Sequence, residues 1–152
     1  MSDARARRCL DPGLSILVAT VNAAGAPSCC RAIALASEDD LATATVYLPI
    51  ATSQRIIQDV ATTRRIAVAA THIVDHCSVQ LKGTTATARI AREDEAVFVR
   101  ARLEGFAAML HQVGMPLRLA RSMAHWPAFA VEMRVEEVFD QTPGPNAGGR
   151  LR

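Results

Sequence analysis

The apolar residues in the first part of the chain fall in short runs separated by turn-forming residues. Leu14 to Val21 (LSILVATV) is β-branched and apolar, and predicts a buried strand. Asn22-Ala23-Ala24-Gly25 follows, and Asn and Gly accept the left-handed backbone that a hairpin needs. Ser28 to Ala36 (SCCRAIALA) is the returning strand, Ser37-Glu38-Asp39-Asp40 the next turn, and Leu41 to Leu48 a third strand closed by Pro49. The period then lengthens. Thr52 or Ser53 can cap a helix whose Ile56, Ile57 and Val60 share one face, with Arg64 and Arg65 at its exit.

Two strands follow, Ile66 to Thr71 and a long one from Cys77 to Ala91, the second interrupted by Gly83 where a bulge or bend is expected. Acidic Glu93-Asp94-Glu95 suits the positive end of a helix carrying Val99, Leu103, Phe106, Leu110 and Val113 every three or four positions. Gly114 stops it, and Pro116 opens a shorter helix to about Ala124. Alternation returns from Ala128 to Phe139. A meander with inserted helices favours a small antiparallel barrel, because closure removes exposed strand edges. A doubly wound sheet would alternate strand and helix from the start. The expected class is therefore mainly β with helices (α+β), with roughly six antiparallel strands plus inserted and C-terminal-half helices. The expected organisation is an N-terminal helical segment over 1–13, a barrel domain over 14–140 and a flexible Gly/Pro-rich tail over 141–152.

Composition narrows function only by exclusion. With 152 residues, 50% hydrophobic and 21% charged, the chain suits one globular domain rather than a disordered segment. A net charge of +2 is too small for a nucleic-acid groove, and Lys82 is the sole lysine. The longest apolar runs fall short of a membrane span, and Asp11-Pro12-Gly13 stands where a signal peptide started by Arg5, Arg7 and Arg8 would need an apolar core. A cytoplasmic setting with no membrane partner is expected. The 4 cysteines form no C-x-x-C pair. His72, His76 and Cys77 make only a weak cluster, so no metal site is assigned. Nucleotide-binding glycine motifs and hydrolase motifs are absent, which leaves the catalytic residues unknown and points to chemistry carried by a cofactor.

ATVNAAGAP leading into CCRAIAL, then ATSQRIIQDVATTRRIAVAA, then CSVQLKG, occur in an order and spacing that resemble the pyridoxamine 5′-phosphate oxidase-related, FMN-binding split-barrel family. The resemblance covers roughly residues 14–91, with VEEVFDQTPGP also similar to smaller relatives. It implies a split β-barrel, a homodimer and FMN at the subunit interface. It also implies a flavin-dependent oxidoreductase that takes electrons from a small-molecule substrate or a nicotinamide donor.

Three segments carry the implied cofactor contacts. Arg31 lies in RAIAL, where the family sets an arginine and backbone groups (here Ala32, Ile33 and Ala34) near FMN; a guanidinium fork suits a phosphate. Strand alternation puts Ile33 and Leu35 on the face of Arg31, with Ala32 and Ala34 opposite. Thr52-Ser53-Gln54-Arg55 resembles the hydroxyl-then-basic phosphate segment, commonly S-R-K, with one positive charge fewer; a helix cap explains the same hydroxyls. Ser78, Gln80 and Lys82 alternate onto one face of a strand that in the family meets the flavin. A solvated outer face explains that pattern as well. Trp126 is either a ring-covering residue or a core anchor. The oxidase's C-terminal R-L-x-x-R pattern is not reproduced by Arg150-Leu151-Arg152, so its substrate does not carry over. F420, heme or a non-catalytic, stress-associated flavin-holding dimer are the alternatives on the same fold.

Overall fold

The computed structural model describes residues 10, 13–38 and 40–152. The helix expected over residues 2–10 lies outside them except for Leu10, which packs against the barrel core. Seven strands form one antiparallel sheet: β1 Leu14–Val21, β2 Pro27–Ala32, β3 Ala34–Ser37, β4 Thr43–Pro49, β5 Arg65–His72, β6 Ser78–Ile90 and β7 Ala128–Asp140. Their spatial order is β2-β1-β5-β6-β7-β4-β3. The two edge strands are consecutive in the chain and separated only by Ile33. The sheet therefore curls on itself, and its seam is crossed by covalent chain. The predicted second strand is this single bent segment, so the six expected strands appear as seven.

The bend at Ile33 also corrects the expected alternation. Ala32 and Leu35 point into the barrel core, while Ile33 and Ala34 both join a second apolar cluster outside it. The bend places two successive residues on one side, and Leu35 leaves the face of Arg31. The Ile33 amide donates to the Tyr47 carbonyl at 3.0 Å and holds the bend.

Inside the barrel, Val18, Val46, Leu48, Val68, Leu81, Val131 and Met133 are fully buried. Each such side chain contributes about 1.5–3 kcal/mol relative to exposure. Helix α1, Gln54–Thr62, plugs one end with Ile56 and Val60. Its buried Asp59 accepts a 2.7 Å hydrogen bond from Thr20 Oγ1, which satisfies both polar groups. Helix α2, Ala96–Gln112, lies outside the barrel and covers the second cluster with Val99 and Leu103. The apolar stripe predicted for it ends early, because Val113 is 57% exposed where the helix ends. Helix α3, Leu117–Arg121, is held to α2 by a bidentate pair from Arg121 to Glu104.

The segment after residue 140 folds back. Arg150 bridges Phe139, the Leu151 amide donates to the Val138 carbonyl at 2.7 Å, and the Arg152 guanidinium donates to the Asp40 and Val135 carbonyls. A glycine-rich segment with no core of its own is thus fixed by backbone pairing to the edge of β7. No helix among the described residues is long and apolar enough to cross a membrane.

Candidate functional site

The pleat of β1 sends Leu14, Ile16, Val18 and Thr20 inward, and Ser15, Leu17, Ala19 and Val21 outward. Register then fixes what shares the outer face. Arg31 stands opposite Leu17, Leu17 opposite Ala69, Ala69 opposite Gln80, and Gln80 opposite Phe139. The adjacent row runs Cys29, Ala19, Ala67, Lys82 and Glu137. At a strand spacing of about 4.8 Å, Arg31 and Gln80 are separated by about 14 Å along the sheet, across an apolar floor of Leu17 and Ala69. Leu17 is 44% exposed in the middle of that floor.

Polar groups border the floor. An Arg31 guanidinium N–H donates to Ser15 Oγ at 3.1 Å, and the group lies 5.3 Å from the Phe106 ring centre, against α2. Among the described residues this is its one hydrogen bond, which leaves most of the guanidinium donors available. Ser78 Oγ is near Thr71 Oγ1 (3.0 Å) and the His76 carbonyl (2.9 Å), so its hydroxyl is engaged inside the hairpin. Gln80 Oε1 accepts a long 3.4 Å contact from Gln141, and Lys82 Nζ sits 4.5 Å from the Phe139 ring centre. Arg31, Ser78, Gln80 and Lys82 thus share one outer sheet face.

The second expected segment sits elsewhere, at the start of α1. Thr52, Gln54 and Arg55 are exposed, and no side chain caps the helix. Ser53 is fully buried, and its hydroxyl donates to the Pro49 carbonyl at 2.6 Å. The groups offered to an anion there are the first-turn backbone amides and the Arg55 guanidinium, since the Ser53 hydroxyl is turned inward. Among the described residues no hydrogen bond or ion pair joins 52–55 to Arg31, Gln80 or Lys82. Trp126, like Phe98 and Met123, is partly buried against the second cluster, and Ala32, Ile33 and Ala34 are buried at the seam. His72 Nδ1 lies 2.9 Å from Asp75 Oδ1, and this pairing occupies the weak metal cluster's first histidine.

Sequence reasoning missed one polar network. Tyr47 is outward-facing, 6% exposed, and donates through its hydroxyl to Glu95 at 3.0 Å. Glu95 also accepts two hydrogen bonds from Arg89 (2.7 and 2.8 Å) and one from the Arg92 amide at 2.7 Å. The Arg89 hydrogen bonds hold the Glu95 carboxyl down at about 2, and burial followed by the Glu95 bond pushes the Tyr47 phenol up to about 12. This network pins the start of α2 over the second cluster. The acidic run 93–95 was legible as a helix start, but its partners on β4 and β6 depend on long-range register.

No protein-family model and no curated protein matches the sequence. Solved structures do. HupZ of Group A Streptococcus is 21% identical with a TM-score of 0.55, over 97% of this chain and 100% of that one. A Clostridium acetobutylicum protein related to general stress protein 26, of the pyridoxinephosphate oxidase family, is 13% identical with a TM-score of 0.57, over 99% and 97%. An FMN-binding protein of Syntrophomonas wolfei is 8% identical with a TM-score of 0.54, over 87% and 85%. These likenesses establish the split-barrel fold.

Proposed function

We propose that the chain is a cytoplasmic FMN-binding, flavin-dependent oxidoreductase that works as a homodimer on a small-molecule substrate or nicotinamide donor. The observation that carries the reading is the outer face. Its floor of Leu17, Ala19, Ala67 and Ala69 is apolar and not covered by another element, and it is bordered by Arg31, Gln80 and Lys82. A soluble protein exposes such a face at a cost unless a planar ligand or a second subunit covers it. The fold shared with an FMN-binding protein adds to this.

The residues fit the cofactor in two parts. Arg55 and the uncapped amides of α1 suit a phosphate monoester, and Arg31, which makes one hydrogen bond among the described residues, offers a separate cation on the sheet face. Gln80 and Lys82 supply a donor and acceptor pair and a positive charge beside the alanine floor. FMN, when bound, supplies the hydride and electron chemistry. The protein's part is to anchor the phosphate, orient the ring and exclude water from one side of it.

The chromophore decides the matter. Freshly purified protein is expected to show flavin absorbance and to release FMN, identified by mass, at about one per subunit. An Arg31→Ala/Arg55→Ala double variant is expected to retain at least tenfold less, since each charge-assisted hydrogen bond contributes about 1.5–3 kcal/mol. A colourless protein that fails to take up added FMN sinks the flavin reading. A Soret band or a deazaflavin mass replaces FMN by heme or F420, and unchanged flavin content in the double variant removes the assigned residues.

A further inference from the structure

We propose that the cleft at the β5–β6–β7 end of the outer face binds a small oxyanion, a carboxylate or phosphate carried by a metabolite, between Arg65 and Lys82. The cleft has a volume of 470 Å³ and is lined by Ala19, Ala67 and Gly83 at its base, with Arg65, Lys82, Thr84, Glu136 and Glu137 around it. Its shape comes from a bulge. Lys82 pairs with Glu137 and Gly83 with Val135, so Glu136 is the extra residue and both glutamates turn outward. Gly83 allows this because a Cβ there would run into the Arg134 carbonyl oxygen.

The charges are unequally satisfied. Glu137 is paired with Arg150 at 3.3 Å, and Glu136 accepts a 2.9 Å hydrogen bond from Thr84. Arg65 and Lys82, both exposed, make no ion pair with an acid among the described residues, and Lys82 rests on the Phe139 ring. Their strands are neighbours, since Ala67 faces Lys82 and Arg65 faces Thr84, so the two cations flank the same alanine and glycine floor. Arg150 compensates Glu137, whereas Thr84 is a neutral donor and leaves Glu136 its charge, so two cations face one uncompensated carboxylate and the cleft favours an anion small enough to fit beside Glu136. Ala19, Ala67 and Lys82 also belong to the proposed FMN face, so the cleft adjoins and partly shares that floor, whereas Arg65 and Glu136 lie outside it.

The test is an amide chemical-shift titration of the full chain with inorganic phosphate and, separately, succinate at constant ionic strength. Saturable shifts centred on 65–67, 82–84 and 136–137 are expected for at least one probe, and which probe saturates identifies the oxyanion. Arg65→Gln is expected to weaken binding about tenfold or more. Glu136→Gln is expected to tighten it several-fold, a gain that misfolding cannot produce. Linear shifts for both probes, or an equal loss on Arg118→Gln, a residue of α3 that does not line the cleft, overturn the proposal. Arg65→Gln is expected to keep its full complement of any bound flavin; loss of flavin and oxyanion together would merge the cleft with the cofactor site and overturn it as a separate one. A chain that never carries flavin but passes the titration loses the FMN reading and keeps this one.

Discussion

A Gly83→Val variant is expected to lose about 3 kcal/mol or more of stability, the upper part of the range for overpacking, because the obstacle is backbone. The first atom of the side chain would overlap the Arg134 carbonyl oxygen and stand 3.0 Å from its carbon. Neither can rotate away, so β7 must move at the bulge that joins it to β6. The control is Gly25→Ala. Gly25 has φ +81, and a Cβ added there would meet nothing within 4 Å, so only backbone strain applies, about 1 kcal/mol. Urea denaturation of both variants checks the difference. Equal midpoints would mean that β6 and β7 do not pair in this register.

Glu95→Ala is the second large effect, expected at about 1–3 kcal/mol, because it leaves the buried Tyr47 hydroxyl without its acceptor, whereas the exposed Arg89 guanidinium is taken up by water. The same carboxylate gives a pH signature. Its folded pKa of about 2 lies below the ordinary 4.5, so its stabilisation is complete above pH 4.5 and is lost as pH falls towards 2. Wild-type melting temperature should therefore fall over that interval more steeply than that of Glu95→Gln. Tyr47 is the only tyrosine, so phenolate absorbance reads it alone. It should titrate near 12 in the wild type and lower in Glu95→Gln. Identical acid profiles for wild type and Glu95→Gln would remove Glu95 from the network.

The strands were legible because each has a local signal. The run at 14–21, the Asn22–Gly25 turn and Pro49 needed no knowledge of neighbours. Asn22 Oδ1 accepts from the Ala24 and Ala26 amides, which is the turn chemistry its sequence suggests. Gly83 was legible as a bulge, although the carbonyl that demands it belongs to a strand much later in the chain. The bend at Ile33 was not legible. Nothing in RAIALA marks it, and it arises because one segment must pair with β1 and then with β4.

The candidate site divides in the same way. The outward pattern of Ser78, Gln80 and Lys82 was readable from alternation. Placing Arg31 in line with Gln80 required the order of β1 and β5 between them. Ser53 shows the limit of motif reasoning: a serine before a helix suggests a hydroxyl aimed at the amides, yet its nearest partner is the Pro49 carbonyl. The difference lies in the 3-10 turn Ile50–Thr52, which leads into the helix and turns the side chain inward.

The bent segment 27–37 has a consequence for how the barrel breathes. In an open sheet an outer strand can fray alone, and its amides exchange with solvent ahead of the rest. Here β2 cannot lift from β1 without pulling on β3, one residue away and paired to β4. Local opening at one side of the seam is therefore coupled to opening at the other. Hydrogen exchange in the β1–β2 and β3–β4 pairs becomes one cooperative unit, hinged on the single amide that Ile33 donates to Tyr47.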